Sequence, residues 1–253
     1  MMRILLTNDD GIFSEGLAQC WEALSSIADV WVFAPDRERS ASSHSLTLDH
    51  PLRAVEIKNN WFAISGTPTD CVNLGVLHFM KSNPPELIVS GINFGINIGD
   101  DVTYSGTVSA TFEASILGLP GVAISQEMGI GADLKRTASL SAKIILFLKS
   151  KNLLQNSTIF NINFPKTKPK GISFCHLGKR HYEESVVENV DPRGKKYFWI
   201  GGAPIPSHPE KGTDFEALFQ EKISITPLHL DLTNYEKLKL CKNFEEELKG
   251  LTE

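Results

Sequence analysis

The chain has 253 residues, of which 42% are hydrophobic and 22% are charged, and its formal net charge at pH 7 is −5. That length suits one large domain with a substantial apolar core, or a core domain with an added element. The mildly acidic balance and the lack of a long basic run argue against nucleic acid polymers and anionic membranes as main partners.

The cysteines and the N-terminus bear on where the protein works. The four cysteines lie far apart in the sequence, without C-x-x-C or other metal-ligand spacing, so we interpret them as free thiols. The apolar run at the N-terminus is too short for a secretory signal, and no segment approaches the roughly 20 apolar residues of a membrane helix. These features predict a cytoplasmic protein.

Apolar strands and amphipathic helices alternate through the first two thirds of the chain. The predicted strands are 4–7, 29–34, short stretches within 46–57 and 61–65, then 86–90, 121–125 and 158–165. The predicted helices are 16–26, 69–80, 105–117 and 134–149. This alternation indicates a parallel sheet covered by helices on both faces. Ligands bind such sheets where the strands end, so the loops TNDDG, APDRERS, SGINFGINIGD and AISQ should meet at one edge.

The pattern changes after Pro165. A linker is predicted over 165–171, followed by β-rich sequence with a hairpin around the Pro-Arg-Gly turn of VDPRGKKYF. Apolar residues recur near helical spacing over 235–248, where Thr233 or Asn234 would cap a C-terminal helix.

Two adjacent carboxylates, Asp9 and Asp10, stand where the first predicted strand ends. Like charges so close repel, and each raises the pKa of the other. A hard divalent cation such as Mg²⁺ or Mn²⁺ would offset this repulsion, and Asn8 adds a neutral oxygen or a donor. Turn formation or helix capping is the alternative, because Asp-Gly is a turn signal.

The polar loop PDRERSASSHS follows the second predicted strand. Taken alone it is typical of a solvated charged loop. A hydroxyl from Ser40 or Ser42 would nevertheless complete an oxygen-rich cation site. We interpret His44 as structural rather than as a ligand.

The segment SGINFGINIGDDVTYSGTVSA combines glycines at every fourth position with two asparagines, Asn93 and Asn97. It matches neither G-x-G-x-x-G nor the Walker motif, so dinucleotide and P-loop sites lack their fingerprint. The asparagine amides suit a cation or a phosphate. The Ser-Gly-Thr at 105–107 opens a helix, whose first N–H groups bind anions, phosphate above all. Simple N-capping by Ser105 is the alternative.

A cation site beside an anion site at one sheet edge indicates phosphoryl transfer to water. Our hypothesis is in-line attack by a metal-activated water, with Asp9 or Asp10 helping to take its proton. A covalent aspartyl-phosphate is the alternative, although enzymes of that kind separate their two acids by one residue.

Several strings in one order carry a family resemblance: RILLTNDDG, APDRERSASSHSLTL, GTPTDCV, SGIN, NIGDDVTYSGTVSA, HYEESV, VDPRGKKYFWIGG and ISITPLHLDLT. From residue 3 to about residue 235 the chain resembles the SurE family (survival protein E, 5′-nucleotidase). The resemblance implies a metal-dependent phosphatase that hydrolyses nucleoside 5′-monophosphates to nucleoside and phosphate. It leaves 3′-monophosphates and short polyphosphate open as further substrates, and it implies one divalent cation per subunit, Mg²⁺ or Mn²⁺. A nucleotide-dependent transferase and a non-catalytic nucleotide-binding stress protein are the alternatives.

The resemblance also assigns roles to individual residues. It places the cation on Asp9, Asp10, Ser40 and Asn93, with Asp9 and Asp10 as the catalytic pair. It places the substrate phosphate on Asn97, Ser105, Gly106 and Thr107. One departure is Ala41, where the family often has glycine, and it implies a stiffer loop.

The fold implied by the resemblance is α/β: a Rossmann-like α/β/α core with a mainly parallel sheet, residues 1–165. Residues 166–253 form a C-terminal extension of the same SurE-like domain, with a hairpin and a terminal helix for oligomerisation. The family exchanges these elements between protomers, so we expect a homodimer or homotetramer through segments 190–202 and 235–248. Packing of both segments within one chain is the alternative, and the tail after Asn234 carries no family motif.

Overall fold

The computed structural model describes residues 1–155, 157–179, 186–201 and 209–249 of the chain. Most of the HYEESV string, the last glycine of VDPRGKKYFWIGG and the final four residues of the chain lie outside the described residues.

A mixed sheet of nine strands forms the centre of the molecule. The strands, in chain order, are β1 (Met2–Thr7), β2 (Ala28–Pro35), β3 (Ala54–Lys58), β4 (Trp61–Ile64), β5 (Leu87–Phe94), β6 (Gly121–Gln126), β7 (Ile159–Phe164), β8 (Ile172–Phe174), β9 (Val186–Val190), β10 (Lys196–Ile200) and β11 (Ile223–Leu228). The order in the nine-stranded sheet is β3-β4-β2-β1-β5-β6-β7-β11-β8, and β9 pairs only with β10. Neighbours are parallel except β3 with β4 and β11 with β7. The predicted α/β fold with a mainly parallel sheet is confirmed.

Helices cover both faces of this sheet. They are α1 (Glu15–Ser25), α2 (Pro68–Leu74), α3 (Gly106–Ile116), α4 (Leu134–Ser150), α5 (Asp214–Phe219), α6 (Tyr235–Lys242) and α7 (Glu245–Leu248). Strand β1 shows how the two faces are filled, because its side chains alternate between them. Ile4 and Leu6 pack in the core that includes α1 and α4, whereas Leu5 packs in the core with α2 and α3. No helix within the described ranges is long and apolar enough to cross a membrane.

Several local predictions need correction. Residues 46–53 are not strand, and Thr47 within them instead donates two hydrogen bonds to the carboxylate of Asp70. In place of one helix over 69–80, the structure has α2, which ends at Leu74, and then a π-helical turn, Gly75–Phe79. Of the two caps predicted for the C-terminal helix, Asn234 is the one that caps α6.

The C-terminal part contributes more to the sheet than its sequence indicates. Strands β8 and β11 and helix α5 have no counterpart among our predicted elements. Strand β11 returns antiparallel to β7, and β8 then adds parallel to β11. The division of the chain at residue 165 stays a prediction, but these two strands lie in the same sheet as β1–β7.

The predicted hairpin is present as β9 and β10, and it stands apart from the main sheet. Every residue of its two strands is exposed, including Phe198, Trp199 and Ile200. Helix α6 also has no buried residue. These apolar surfaces are therefore left uncovered by the part of the chain that the structure describes.

Gly16 is where α1 lies closest to β5. A Cβ at this position would stand 2.1 Å from the carbonyl oxygen of Ile92 and 3.1 Å from the ring of Phe94. Side chains do not make contacts of that length with backbone oxygens, so the helix packs at this distance only because residue 16 is glycine.

We expect Gly16→Ala to lower the free energy of unfolding by about 2–3 kcal/mol, because the helix must move away from the strand. Helix propensity alone predicts the opposite, a gain of about 1 kcal/mol. Urea denaturation measures the difference. Gly171→Ala is the control, since its Cβ would meet only the Lys222 side chain at 3.8 Å, and its effect should stay within about 1 kcal/mol. A Gly16→Ala protein as stable as wild type would contradict this packing.

Candidate metal and phosphate site

The carboxyl ends of β1, β2 and β5 meet the first turn of α3 at one edge of the sheet. The backbone oxygen of Asp9, after β1, accepts a 2.8 Å hydrogen bond from the N–H of Arg39, after β2. Asp10 Oδ2 accepts a 3.2 Å bond from the N–H of Phe94, at the end of β5. Thr107 Oγ1, in α3, donates a 2.5 Å bond to Asp9 Oδ1. The loops therefore converge as the strand pattern predicts.

The two carboxylates are desolvated and crowded. Asp9 is 6% exposed, and burial raises its pKa above the ordinary value of 3.8, opposed by its hydrogen bonds with Thr107. Burial and the neighbouring Asp9 charge raise the pKa of Asp10 to about 6, opposed by the Phe94 N–H. The charge of Glu38 adds to the rise at both positions. This excess of negative charge fits a divalent cation, which would favour both ionised forms.

The neighbouring neutral oxygens fit such a cation as well. Asn8 Nδ2 donates to the backbone oxygen of Gly11 at 3.0 Å and to Ser14 Oγ at 2.7 Å, which fixes the orientation of the amide. Asn8 Oδ1 and Ser42 Oγ are buried without a hydrogen-bond partner among the described residues. Buried oxygens without partners suit a hydrated hard cation. Within the same ranges no three His, Cys, Asp or Glu side chains form a metal-binding group, so neutral oxygens must complete any ligand set.

Ser40 and Asn93 are the other two predicted ligands. Ser40 follows Arg39, which binds the backbone oxygen of Asp9, and Asn93 precedes Phe94, which binds the Asp10 carboxylate. Ser40 is exposed, and its hydroxyl donates a 2.5 Å bond to Glu38 Oε1. Asn93 Nδ2 donates to the backbone oxygen of Gly95 at 2.9 Å, so its Oδ1 is the amide atom suited to a cation. Ala41 has a φ of 54°, a left-handed conformation that glycine adopts more easily, so a glycine would fit this position with less strain.

The first turn of α3 presents its backbone towards Asp9. Ser105 is the N-cap, and its Oγ accepts a 3.1 Å bond from the Val108 N–H, so the capping alternative is realised. A Cβ on Gly106 would lie 2.7 Å from Ser42 Oγ and 3.0 Å from Asp9 Oδ2, so only glycine allows this approach. Both the hydroxyl and the backbone N–H of Thr107 contact Asp9. The phosphate roles of Ser105, Gly106 and Thr107 stay predictions.

Asn97 is held by a buried polar network. Its backbone N–H donates to Asn163 Oδ1 at 2.7 Å, and its backbone oxygen accepts bonds from the amides of Asn161 and Asn163. Its Nδ2 donates one hydrogen to Ser125 Oγ at 2.8 Å, and an amide nitrogen carries two. The second hydrogen is the group that could reach an anion.

Sequence reasoning missed the contributions of Glu38, Asn161 and Asn163. Glu38 looked like one more charge in a solvated loop. Asn161 and Asn163 did carry a signal, because they alternate with apolar residues in a strand whose residues are all buried. Polar residues on one face of a buried strand indicate a hydrogen-bonded network, and here that network supports Asn97.

Comparisons with known proteins agree with these features. A family model described as "Survival protein SurE" matches residues 4–184. The "5'-nucleotidase SurE" of Geotalea uraniireducens is 47% identical over 248 residues, covering 96% of this chain and 99% of that protein. The protein of the same name from Geobacter metallireducens is 47% identical over 247 residues, with coverages of 96% and 98%. A crystal structure of the SurE protein from Aquifex aeolicus has a TM-score of 0.84 and 39% identity, covering 99% of this chain and 100% of that one.

We expect Asp10→Asn to raise the free energy of unfolding by about 1–2 kcal/mol near pH 7.5 without divalent cations. The raised pKa means that ionising Asp10 opposes folding, and asparagine removes the charge while still accepting the Phe94 N–H. A shift of about two pKa units corresponds to about 3 kcal/mol, and the partial exposure of Asp10 reduces that figure.

The sign of the pH dependence follows from the same shift. Between about pH 4 and pH 6 the folded protein binds the Asp10 proton more tightly than the unfolded chain does, so wild-type stability falls as pH rises. The advantage of Asp10→Asn should therefore disappear near pH 4 and be complete above about pH 7. Urea titrations with chelator at several pH values measure it, with the exposed Asp29→Asn as control. An Asp10→Asn protein less stable than wild type near pH 7.5 would refute this account.

Proposed function

Because the chain belongs to the SurE family, we propose that it is a metal-dependent 5′-nucleotidase. It hydrolyses nucleoside 5′-monophosphates to nucleoside and inorganic phosphate, using one Mg²⁺ or Mn²⁺ ion per subunit. The observation that carries this proposal is the desolvated pair Asp9 and Asp10 against the first turn of α3. Oxygen ligands for a cation and N–H groups for a phosphate lie there side by side.

The chemistry of each residue decides whether it would bind the cation or the phosphate. Asp9, Asp10, Ser40 and Asn93 would hold the cation, which requires the Ser40 hydroxyl to leave Glu38. A bound divalent cation supplies positive charge against the phosphate and lowers the pKa of water. The Gly106 N–H and the free hydrogen of Asn97 Nδ2 would orient the phosphate oxygens. Thr107 fixes the rotamer of Asp9 through Oδ1.

A carboxylate of the pair is also the proton acceptor. Either Asp9 or Asp10 would take the proton of the attacking water, and Asp10 is the more exposed of the two. For in-line attack, the base must lie beside the attacking water and therefore close to the phosphate. The short contacts between the ends of β1 and β5 and the first turn of α3 support that arrangement.

We expect wild-type protein to release phosphate from nucleoside 5′-monophosphates with Mg²⁺ or Mn²⁺ and to lose that activity with chelator. Asp9→Asn should lower kcat/KM by at least about 100-fold, because it removes a charged ligand from a desolvated site. A panel of 5′- and 3′-monophosphates and short polyphosphate, assayed for inorganic phosphate, measures this. The exposed Asp29→Asn variant should match wild type.

Each contrary result has a distinct meaning. Activity that persists in chelator would exclude the metal mechanism. No release from any monophosphate would exclude a nucleotidase, and transfer of phosphate to an added acceptor would then identify a transferase.

We also infer that the protein assembles as a homodimer or homotetramer through its hairpin and C-terminal helix. The apolar side chains of β9 and β10 are uncovered in the single chain, with Trp199 66% and Ile200 92% exposed. Leu238, Leu240 and Phe244 near the C-terminus are exposed as well. Apolar patches of this kind mark interaction sites, and a second copy of the chain is the occupant we propose. The cytoplasm is the compartment we propose, since all four cysteines are free thiols.

We expect size-exclusion chromatography with light scattering to give wild type the mass of a dimer or tetramer. Trp199→Glu should shift the mass towards the monomer, because it places a charge within the buried contact. Lys195→Glu changes an exposed residue in the turn of the same hairpin and should leave the mass unchanged. A monomeric wild type would contradict the proposed assembly.

A further inference from the structure

Asp214 is a buried carboxylate that links the C-terminal part to the glycine-rich loop after β5. It is the first residue of α5 and is fully buried. Its Oδ1 accepts the N–H groups of Gly178 at 2.9 Å and Phe215 at 3.0 Å, and its Oδ2 accepts the N–H of Gly99 at 2.9 Å. A carboxylate in a first helical turn ordinarily interacts with the N–H groups at the start of its own helix. This one also binds a residue 115 positions earlier in the chain.

Gly99 packs directly against the C-terminal part of the chain. Gly99 has a φ of +54°, and a Cβ there would stand 2.7 Å from both the carbonyl oxygen of Gly178 and the ring of Phe215. Residue 99 therefore has no room for a side chain at this junction, and the position of the loop depends on the position of the C-terminal part.

Gly99 lies two residues after Asn97. Asn97 is bound to the sheet through Asn161, Asn163 and Ser125, whereas Gly99 is bound through Asp214. Ile98 between them is buried. The segment 97–99 is thus fixed at one end by β6 and β7 and at the other end by a residue of the C-terminal part.

The same carboxylate stands at the start of a continuous set of contacts that ends at Asp9. Gly99 begins a 3₁₀ helix, Gly99–Thr103, and the backbone oxygen of Asp101 within it accepts the N–H of Ser105 at 3.2 Å. Ser105 caps α3, and Thr107 in the first turn of α3 contacts Asp9. Displacement of Gly99 would therefore move the start of α3 relative to Asn97.

We infer that Asp214 is a positioning residue for phosphate binding: through Gly99 it sets the distance between the Asn97 amide and the first N–H groups of α3. This inference rests on the proposed function, which assigns both groups to the substrate phosphate. Among the residues proposed to hold the cation, Asp10 is bound by the Phe94 N–H and the backbone of Asp9 by the Arg39 N–H, both outside this set of contacts. We therefore expect Asp214 to affect phosphate binding more than metal binding.

The test is Asp214→Asn, which keeps the shape of the side chain. An asparagine cannot accept hydrogen bonds at both of its ends, so one of its N–H groups would face a backbone N–H. We expect the Kd for inorganic phosphate by calorimetry, with Mg²⁺ present, and the KM for a nucleoside monophosphate each to rise about tenfold. Mn²⁺ affinity by electron paramagnetic resonance should stay within about twofold of wild type.

Two further variants make the result specific. Ile225→Ala removes a buried side chain from β11, in the same part of the chain but away from the loop, and controls for lost stability. It should lower Tm without changing phosphate affinity. Gly178→Ala keeps the carboxylate, but its Cβ would lie 2.6 Å from the Phe215 ring and so strain the same junction. It should reproduce the tenfold loss of phosphate affinity even where Asp214→Asn does not fold.

The outcomes separate this inference from the proposed function. A wild type that binds inorganic phosphate but hydrolyses no monophosphate would refute the nucleotidase and leave the role of Asp214 to be decided by the variants' phosphate affinities. Wild-type phosphate affinity in Asp214→Asn, or in Gly178→Ala if the former does not fold, would overturn the inference and leave the nucleotidase intact. A parallel loss of Mn²⁺ affinity, a similar phosphate defect in Ile225→Ala, or a wild type that binds no phosphate would also overturn it.

Discussion

The desolvation of two adjacent carboxylates is the constraint on which this edge of the sheet depends. Asp9 and Asp10 follow a buried strand, so neither can turn fully towards water. Burial disfavours the ionised forms of both side chains, and the Asp9 charge adds to this at Asp10. Hydrogen bonds from Thr107 and Phe94 stabilise the ionised forms only in part, so both pKa values stay raised. The glycine at 106 and the buried oxygens of Asn8 and Ser42 belong to the same arrangement, since they leave room and ligands for positive charge.

The fold was predictable where local pattern and tertiary structure agree. The buried strands β1, β2, β5, β6 and β7 were recognised from apolar runs ending in polar loops, and α1, α3 and α4 from helical spacing. Strand β8 was not, because it has three residues and none is buried. Strand β11 is placed by its pairing with β7, a contact between residues about sixty positions apart that no local pattern encodes. Residues 46–53 have strand-like residues but hydrogen-bond to Asp70 instead.

The site, like the fold, was predictable where it depends on residues that are neighbours in sequence. Asp9 with Asp10, and Ser105 with Gly106 and Thr107, are neighbours in sequence, so their chemistry is visible as a motif. Their partners are not: Glu38 near the aspartate pair, Asn163 next to Asn97 and Asp214 next to Gly99 are brought together only by folding. The sequence also cannot show that the Thr107 hydroxyl donates a hydrogen bond to Asp9, because that bond depends on where α3 packs along the sheet.

The antiparallel return of β11 onto β7 has a consequence for biosynthesis. While the ribosome has delivered only the first 165 residues, β7 is an edge strand, although all six of its residues are buried in the finished protein. Such an edge strand exposes unpaired backbone N–H and C=O groups that can pair with another chain. It stays unpaired until residues 223–228 have left the ribosomal exit tunnel. The nascent protein therefore carries the candidate site, on β1, β2, β5 and α3, well before its sheet is closed by β11. Maturation waits for almost the last segment of the chain, so premature termination near residue 200 would yield an aggregation-prone product rather than a smaller working enzyme.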